Sequence, residues 1–581
     1  MVGVSRKSSY RPPVTKLLQS MIEKYNAKSL LKEFLQNADD AGATELVVTL
    51  DLRSHGEFQL PEFNVASGPS LIVSNNALFS DEDFKAIEEI MDGNKVLKPR
   101  STGRFGQGFT SSFSISDHPS FISGGLRKGR SMWFDVHESA VCKELGEAIA
   151  IWDHEEFYPE IKQWLNTFLL PQEESIDDRT VFRLPLRTPL TAESSLISNQ
   201  IFDEVHFYGW CDEWKDQAEN LLFLRNVHTL VLRKVDEQGC VQDLLKIETK
   251  NNEKISEQKN IVNSALLYEK TPKEICEDWL SNDAELPVVK YKHIFQSEYL
   301  NRETMIVEST TSMWAVINGL FRGDDDILLD HANKVLSLGP NYRKVLPWAG
   351  VAIPLDESGL ATFQTGRFFT FLPLDIETHN KAHLHGWFEL DDKRTSITLK
   401  SGNDDDVLLV KWNLLLLEYA IGRAWAELIL HYKDEFSPQD YYKLWPSVGK
   451  DHFEKRLSKG FYQRMASADC MRIWYEDQEY WSRPSKDKYF CMKRGSVDVP
   501  SQALKKLAQK RIELITPEPP QRVIDSLKEH GSEVSLFTPE VLIDLISSSI
   551  SHIDFPLAEA QIEDLFFLRT TNYFTCTELY S

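Results

Sequence analysis

Positive charge is in short supply in this chain. Lys and Arg total 65 against 88 Asp and Glu, a net charge of −23. Such a surface repels phosphate backbones, which disfavours a general nucleic-acid binder. Cysteine is sparse as well. Cys142, Cys211, Cys240, Cys276, Cys470, Cys491 and Cys576 are scattered, none in a Cys-x-x-Cys pair. The odd count argues against a disulfide framework and for a reducing, cytoplasmic setting. No uninterrupted apolar span is long enough to cross a membrane. The richest stretch, Trp412 to Leu430, carries Glu418, Arg423 and Glu427 and reads as an amphipathic packing helix. The N-terminus lacks the apolar core of a signal peptide.

Metal-ligand spacing is missing too. His383 and His385 would share one face of an extended strand near His379, but no matching Cys or carboxylate spacing accompanies them. Asp404-Asp405-Asp406 lacks calcium-loop spacing and reads as a solvated turn.

What is present is 581 residues, enough for three or four domains, with 42% hydrophobic content. The most informative stretch is Leu30 to Thr44. As a helix it sets Glu33, Asn37 and Asp40 at i, i+4 and i+7 along one stripe. Leu30, Leu31, Phe34, Leu35 and Ala38 fill the other side, and Gly42 is the expected stop. Two carboxylates and an amide are parts that can activate a water and hold a metal beside it. On this stretch alone, an ordinary amphipathic helix with a solvated face is the better reading.

A glycine loop follows at Gly103-Arg104-Phe105-Gly106-Gln107-Gly108-Phe109. Glycines let backbone N–H groups approach phosphate oxygens. The loop is neither a Walker loop nor a dinucleotide fingerprint, and a tight turn without a ligand accounts for it equally.

Together the two pieces resemble the N-box and second glycine box of the GHKL nucleotide-binding fold. That fold is shared by the ninety-kilodalton heat-shock chaperones, type II topoisomerases, MutL proteins and sensor histidine kinases. The narrower resemblance is to the sacsin repeat family. It is carried by "LLKEFLQNADDAGATEL" (30–46), "SNNALFSDEDFKAIEEI" (74–90), "GRFGQGFTSSFSISDHPSFISGG" (103–125) and "TVFRLPLRT" (180–188). It continues in "GRFFTFLPLDIET" (366–378), "LHGWFELDDKRTSI" (384–397), "KWNLLLLEYAIGRAWAELIL" and "YYKLWP". The likeness fades over roughly the last fifty residues.

The resemblance implies an α+β chain in three parts. These are an N-terminal GHKL (Bergerat) α/β sandwich over 1–195, a second α/β module over 196–403, and a mainly helical C-terminal region over 404–581. It implies ATP and Mg²⁺ as cofactors. Glu33 would be the general base, and Asn37 would ligate Mg²⁺. Asp40, with Ala41 beside it, would lie near the ribose or adenine. Gly103, Arg104, Phe105, Gly106, Gln107, Gly108 and Phe109 would shape the phosphate loop. Thr180 would reach the water network around adenine. Lys98 and Arg100, in a short lid over 92–102, would screen phosphate charge or simply be solvated. Arg394, beside Lys393, would contact the terminal phosphate, or else pair with Asp391 or Asp392.

The chain departs from the GHKL pattern at the first glycine box. Asn75 and Asn76, followed by Ala77, Leu78 and Phe79, stand where an Asp and two glycines are usual. An amide can accept the adenine amino group, but without charge assistance. Arg179 also replaces the glycine that usually precedes Thr180. The resemblance therefore implies a chaperone or co-chaperone module that hydrolyses ATP slowly and switches conformation and client binding. The alternative is a non-catalytic scaffold with a degenerate pocket. Protein clients or chaperone partners follow from either, with an oligomer compatible with both. A MutL-like enzyme fits the acidic balance less well. A histidine kinase fits less still, since no helical hairpin precedes the module, and the abrupt end suggests a fragment.

Local patterns predict helices over 14–25 and 81–91, with Ser80 as N-cap, and strands at 44–52, 71–73, 132–136, 149–152 and 181–186. Asn251 to Lys259 reads as a charged surface segment, and Thr516 to Pro520 as a turn before another helix pair.

Overall fold

A computed structural model describes residues 14–22, 27–59, 61–90, 109, 111–135, 149–173, 175–266, 270–283, 285–338, 345–355, 365–390, 397, 404–449, 452–476, 478–490, 512–537 and 541. The N-terminal half opens with helices α1 (Val14–Ile22) and α2 (Ala27–Asp40), then strands β1 (Glu45–Asp51) and β2 (Ser70–Asn75). Helix α3 (Asp81–Ile90) leads to β3 (Ser120–Ser123), β4 (Arg130–Phe134) and β5 (Ile149–Asp153). Helix α4 (His154–Leu165), β6 (Thr180–Pro185) and α5 (Glu204–Trp214) complete this part.

The middle holds β7 (Thr229–Val235), β8 (Val241–Thr249), α6 (Asn252–Ser264) and α7 (Pro272–Asn282). A long hairpin, β9 (Val288–Asn301) with β10 (Ile306–Leu320), is followed by α8 (Ile327–Leu336). Strands β11 (Trp348–Pro354), β12 (Arg367–Thr370), β13 (Leu372–Glu377) and β14 (His383–Gly386) come next.

These strands form one sheet of fourteen, in the order β13-β12-β14-β11-β10-β9-β8-β7-β1-β2-β6-β3-β4-β5. The sheet runs straight through the expected boundary near residue 195, because β1 and β7 pair in parallel from Glu45 opposite Thr229 to Asp51 opposite Val235. Every residue of β1 after Glu45 is buried, and so is all of β2. That is what a central strand covered on both faces requires.

The expected N-cap at Ser80 is present as a reciprocal pair. Asp83 N–H donates to Ser80 Oγ (3.3 Å), and Ser80 N–H donates to Asp83 Oδ2 (3.0 Å). The segment expected on the surface at 251–259 forms the start of α6 and is exposed or half-buried except at Ile255 and Lys259. Lys259 is tolerated inside because its Nζ donates to Leu224 O (2.6 Å). Burial drives its pKa down to about 8, against the opposing pull of Asp39.

The C-terminal region is helical only at first, through α9 (Asp404–Leu416), α10 (Gly422–Tyr432) and α11 (His452–Ala466). A π-helical turn at Leu417–Ile421 joins the first two. There α11 crosses so closely that a Cβ on Gly460 would lie 1.9 Å from Glu418 O, so only glycine fits. Beyond it strands join the helices. Strands β15 (Met471–Tyr475), β16 (Gln478–Ser482), β17 (Lys488–Phe490), β18 (Glu513–Ile515) and β19 (Ser535–Leu536) form a second sheet of five. Helix α12 (Gln521–Glu529) packs against α11. Short strands flanked by charged residues leave little periodicity to read, which is why this sheet escaped the sequence reading.

Candidate functional site

Helix α2 is built as its periodicity dictates. Leu30, Leu31, Phe34, Leu35 and Ala38 are buried against β1 and α5. Glu33 is half-buried and Asn37 exposed on the opposite stripe. The helix closes with Ala43 N–H donating to Ala38 O (3.0 Å) and Gly42 N–H to Asp39 O (3.1 Å). Gly42 takes φ +81° between them, the left-handed position that favours glycine.

The end of α2 is tied to the end of β2 by Asn76. Its Oδ1 accepts from Thr44 N–H (2.8 Å) and Glu45 N–H (3.2 Å), and its Nδ2 donates to Thr44 Oγ1 (2.7 Å). Asn76 is thus committed to the backbone turn, and Asn75 is left as the amide with capacity toward a ligand. Asn75 is buried, and its Oδ1 accepts one bond, from Ala77 N–H (3.0 Å). Across the ladder it stands directly opposite Thr180.

Thr180 sits in a one-way relay. Phe79 N–H donates to Ser123 Oγ (2.9 Å), Ser123 Oγ lies 2.8 Å from Thr180 Oγ1, and Thr180 Oγ1 donates to Ala77 O (2.7 Å). An amide can only donate and a carbonyl only accept, so Ser123 gives its proton to Thr180. Phe79 and Phe109 turn into an aromatic cluster, with Phe79 4.9 Å from Phe121 and Phe109 4.7 Å from Phe134 between ring centres. Arg179 covers the strand ends, donating to Glu45 Oε1 (2.8 Å) and Ser74 Oγ (3.3 Å).

Asp40 is held by a residue that sequence reasoning missed. Arg225 pairs with Asp40 through Nη2 and with Asp39 through Nε (3.3 Å), and its guanidinium lies 5.1 Å from the centre of the Phe371 ring. Asp39 also accepts the N–H groups of Arg225 (3.1 Å), Asn226 (2.7 Å) and Val227 (3.1 Å). Lys32, in the first half of α2, reaches Asp375 of β13 (3.4 Å). Doubled aspartates at a helix end, followed by Gly42, were the available signal of a backbone clamp. Arg225→Ala is expected to cost about 3 kcal/mol, since removing one partner leaves a buried carboxylate pair. Arg225→Lys should not restore it, because an ammonium lacks the fork. Denaturant unfolding checks this, and an unchanged midpoint in the alanine variant would show that the clamp is idle.

Ala41, like Asn37, is exposed at the helix end. Lys98, Arg100, Gly103, Arg104, Phe105, Gly106, Gln107, Gly108, Lys393 and Arg394 lie outside the described residues. His383 and His385 do share a face of β14, but both are buried, whereas His379 is exposed. No metal-binding group of His, Cys, Asp or Glu occurs among the described residues. None of their helices is long and apolar enough to cross a membrane.

Residues 11–246 match the family model of the sacsin domain. The chain is similar to the sacsin family. Human sacsin is 27% identical over 441 residues, which covers 73% of this chain. The chain spans 9% of the length of that relative. These two matches support the narrower resemblance, to sacsin, that the longer motifs carry.

Proposed function

We propose that this sacsin-type chain binds ATP with Mg²⁺ and hydrolyses it slowly, as a cytoplasmic chaperone or co-chaperone module whose client binding follows its nucleotide state. The observation that carries the reading is the corner where α2 and β2 are joined. Asn76 fastens the two, Asn75 is buried opposite Thr180, and the stripe of Glu33 and Asn37 leads away from that corner.

The donor set fits the nucleotide. Asn75 Oδ1 retains a lone pair for the adenine amino group, and Thr180, with its proton given to Ala77 O, can accept a further bond. Asn37 would offer an amide oxygen to Mg²⁺, which takes few protein ligands and keeps several waters. When bound, the ion would draw charge from the phosphates. Glu33 would orient the attacking water and take its proton. Gly103 to Gly108 would supply backbone donors, and Arg394 a cation at the terminal phosphate.

The test is a titration of the full chain with fluorescent ATP and Mg²⁺. An Asn in place of a charged acceptor predicts weak affinity, of order 100 μM. No binding at about 1 mM would end the reading. A second reading, a non-catalytic interaction scaffold, is favoured by the commitment of Asn76 and of the Thr180 proton to the protein itself. It expects suppression of client aggregation that is independent of ATP.

A further inference from the structure

The long hairpin leaves one side of β10 open. Strand β11 pairs with β10 from Trp314 to Leu320, and among the described residues the last rung beyond it is Leu355 N–H to Met313 O (2.9 Å). From Ile306 to Ser312 no described strand lies on that side, although β9 pairs throughout on the other, from Ile306 opposite Asn301 to Ser312 opposite Phe295. Hydrogen-bonding direction alternates along a strand. Met313 bonds outward to Leu355, so Val307, Ser309 and Thr311 also aim their N–H and C=O groups at the open side.

Six successive residues, 306–311, are exposed. At the tip, Met305, Ile306 and Val307 are 62%, 62% and 58% exposed. Exposed edges are normally guarded by proline, charge or a bulge. The terminal strand β13 has such guards in Pro373, Asp375 and Glu377. The open part of β10 has only Glu308, and its register with β9 is unbroken.

The local charge says what fits there. Glu303 and Glu308 flank the tip, Glu298 stands opposite Ser309, and no Lys or Arg occurs from 303 to 321. Arg302 is engaged by Asp212 (2.6 Å). A second copy of the chain would bring another net −23 to the same edge. We propose that the open edge of β10, residues 306–312, docks an extended segment of another protein, rich in aliphatic residues and Lys or Arg, as an added strand. Backbone pairing would supply the register and the acids the selectivity. This rests on no nucleotide bound at α2.

The probe is a fluorescein-labelled ten-residue peptide alternating Val and Lys, with its Val and Glu counterpart, followed by anisotropy on the full chain. The Lys peptide should bind at least about tenfold more tightly than the Glu peptide. Thr311→Pro removes an outward N–H without changing charge, and Val307→Lys installs a guard. Each should weaken the Lys peptide at least tenfold with the thermal midpoint unchanged. Equal binding to wild type and Val307→Lys, or no binding of the Lys peptide, overturns the proposal. So does a wild-type dimer in light scattering that Val307→Lys dissolves, since the occupant would then be a second copy. If Thr311→Pro lowers the midpoint, Val307→Lys alone decides.

Discussion

Under the proposed hydrolysis, Glu33→Ala should lower ATP turnover by about 100-fold or more while nucleotide affinity stays within about twofold. A general base acts on the attacking water in the transition state, so its loss falls on kcat and not on ground-state binding. Glu33 suits that role by position. It is half-buried on the polar stripe of α2, one turn before Asn37, and the end of its helix is tied to Arg225 through Asp39 and Asp40. Turnover measured with saturating ATP and Mg²⁺, alongside a binding titration, checks both halves. Turnover equal to wild type would sink the catalytic role and favour the scaffold. A parallel loss of affinity would instead make Glu33 part of the binding surface.

The same clamp shows how much of the site could be read beforehand. Helix α2, its apolar face and its Gly42 terminator follow from spacing and backbone sterics, which are local, and they appear as expected. The Ser80 cap is local in the same way. Asn75 and Asn76 are adjacent and chemically identical in sequence. Which of the two serves the backbone turn depends on Thr44, 32 residues away. The partner of Asp40 lies 185 residues on, so no window of sequence around α2 contains it. Lys259 was read as surface because lysine usually is, and a single carbonyl at Leu224 reverses that. The hairpin of β9 did carry a signal. Tyr291, His293, Phe295 and Ser297 are buried in alternation with less buried neighbours, the period of a half-covered strand.

Acid should unfold this chain through its buried histidines. His385 is fully buried in β14, stacked 4.9 Å from Phe223, and its Nδ1 accepts from Phe371 N–H (3.3 Å). Protonation would place hydrogen on an atom that must accept. Burial, with a smaller contribution from the Arg225 cation, pushes its pKa down to about 3 against a backbone hydrogen bond with Phe369. Burial likewise holds His383 well below the ordinary range, helped by Arg367, and it holds His293 there, helped by Lys259. In the unfolded chain these rings titrate near 6.5, so the unfolded state binds protons first as pH falls. The stability they hold is complete above pH 6.5 and drains as pH drops toward the folded value. For His385 alone the loss is about 1.4 kcal/mol per pH unit, or about 3 kcal/mol between pH 6 and pH 4. That is a large share of a typical folding free energy of about 5–15 kcal/mol. Thermal midpoints of wild type and His385→Gln, measured from pH 7 to pH 4, separate this cause from surface carboxylates. The variant should fall less steeply over that range, whatever its midpoint at pH 7. Parallel curves would mean that acid attacks elsewhere, at pairs such as Arg53 with Asp51.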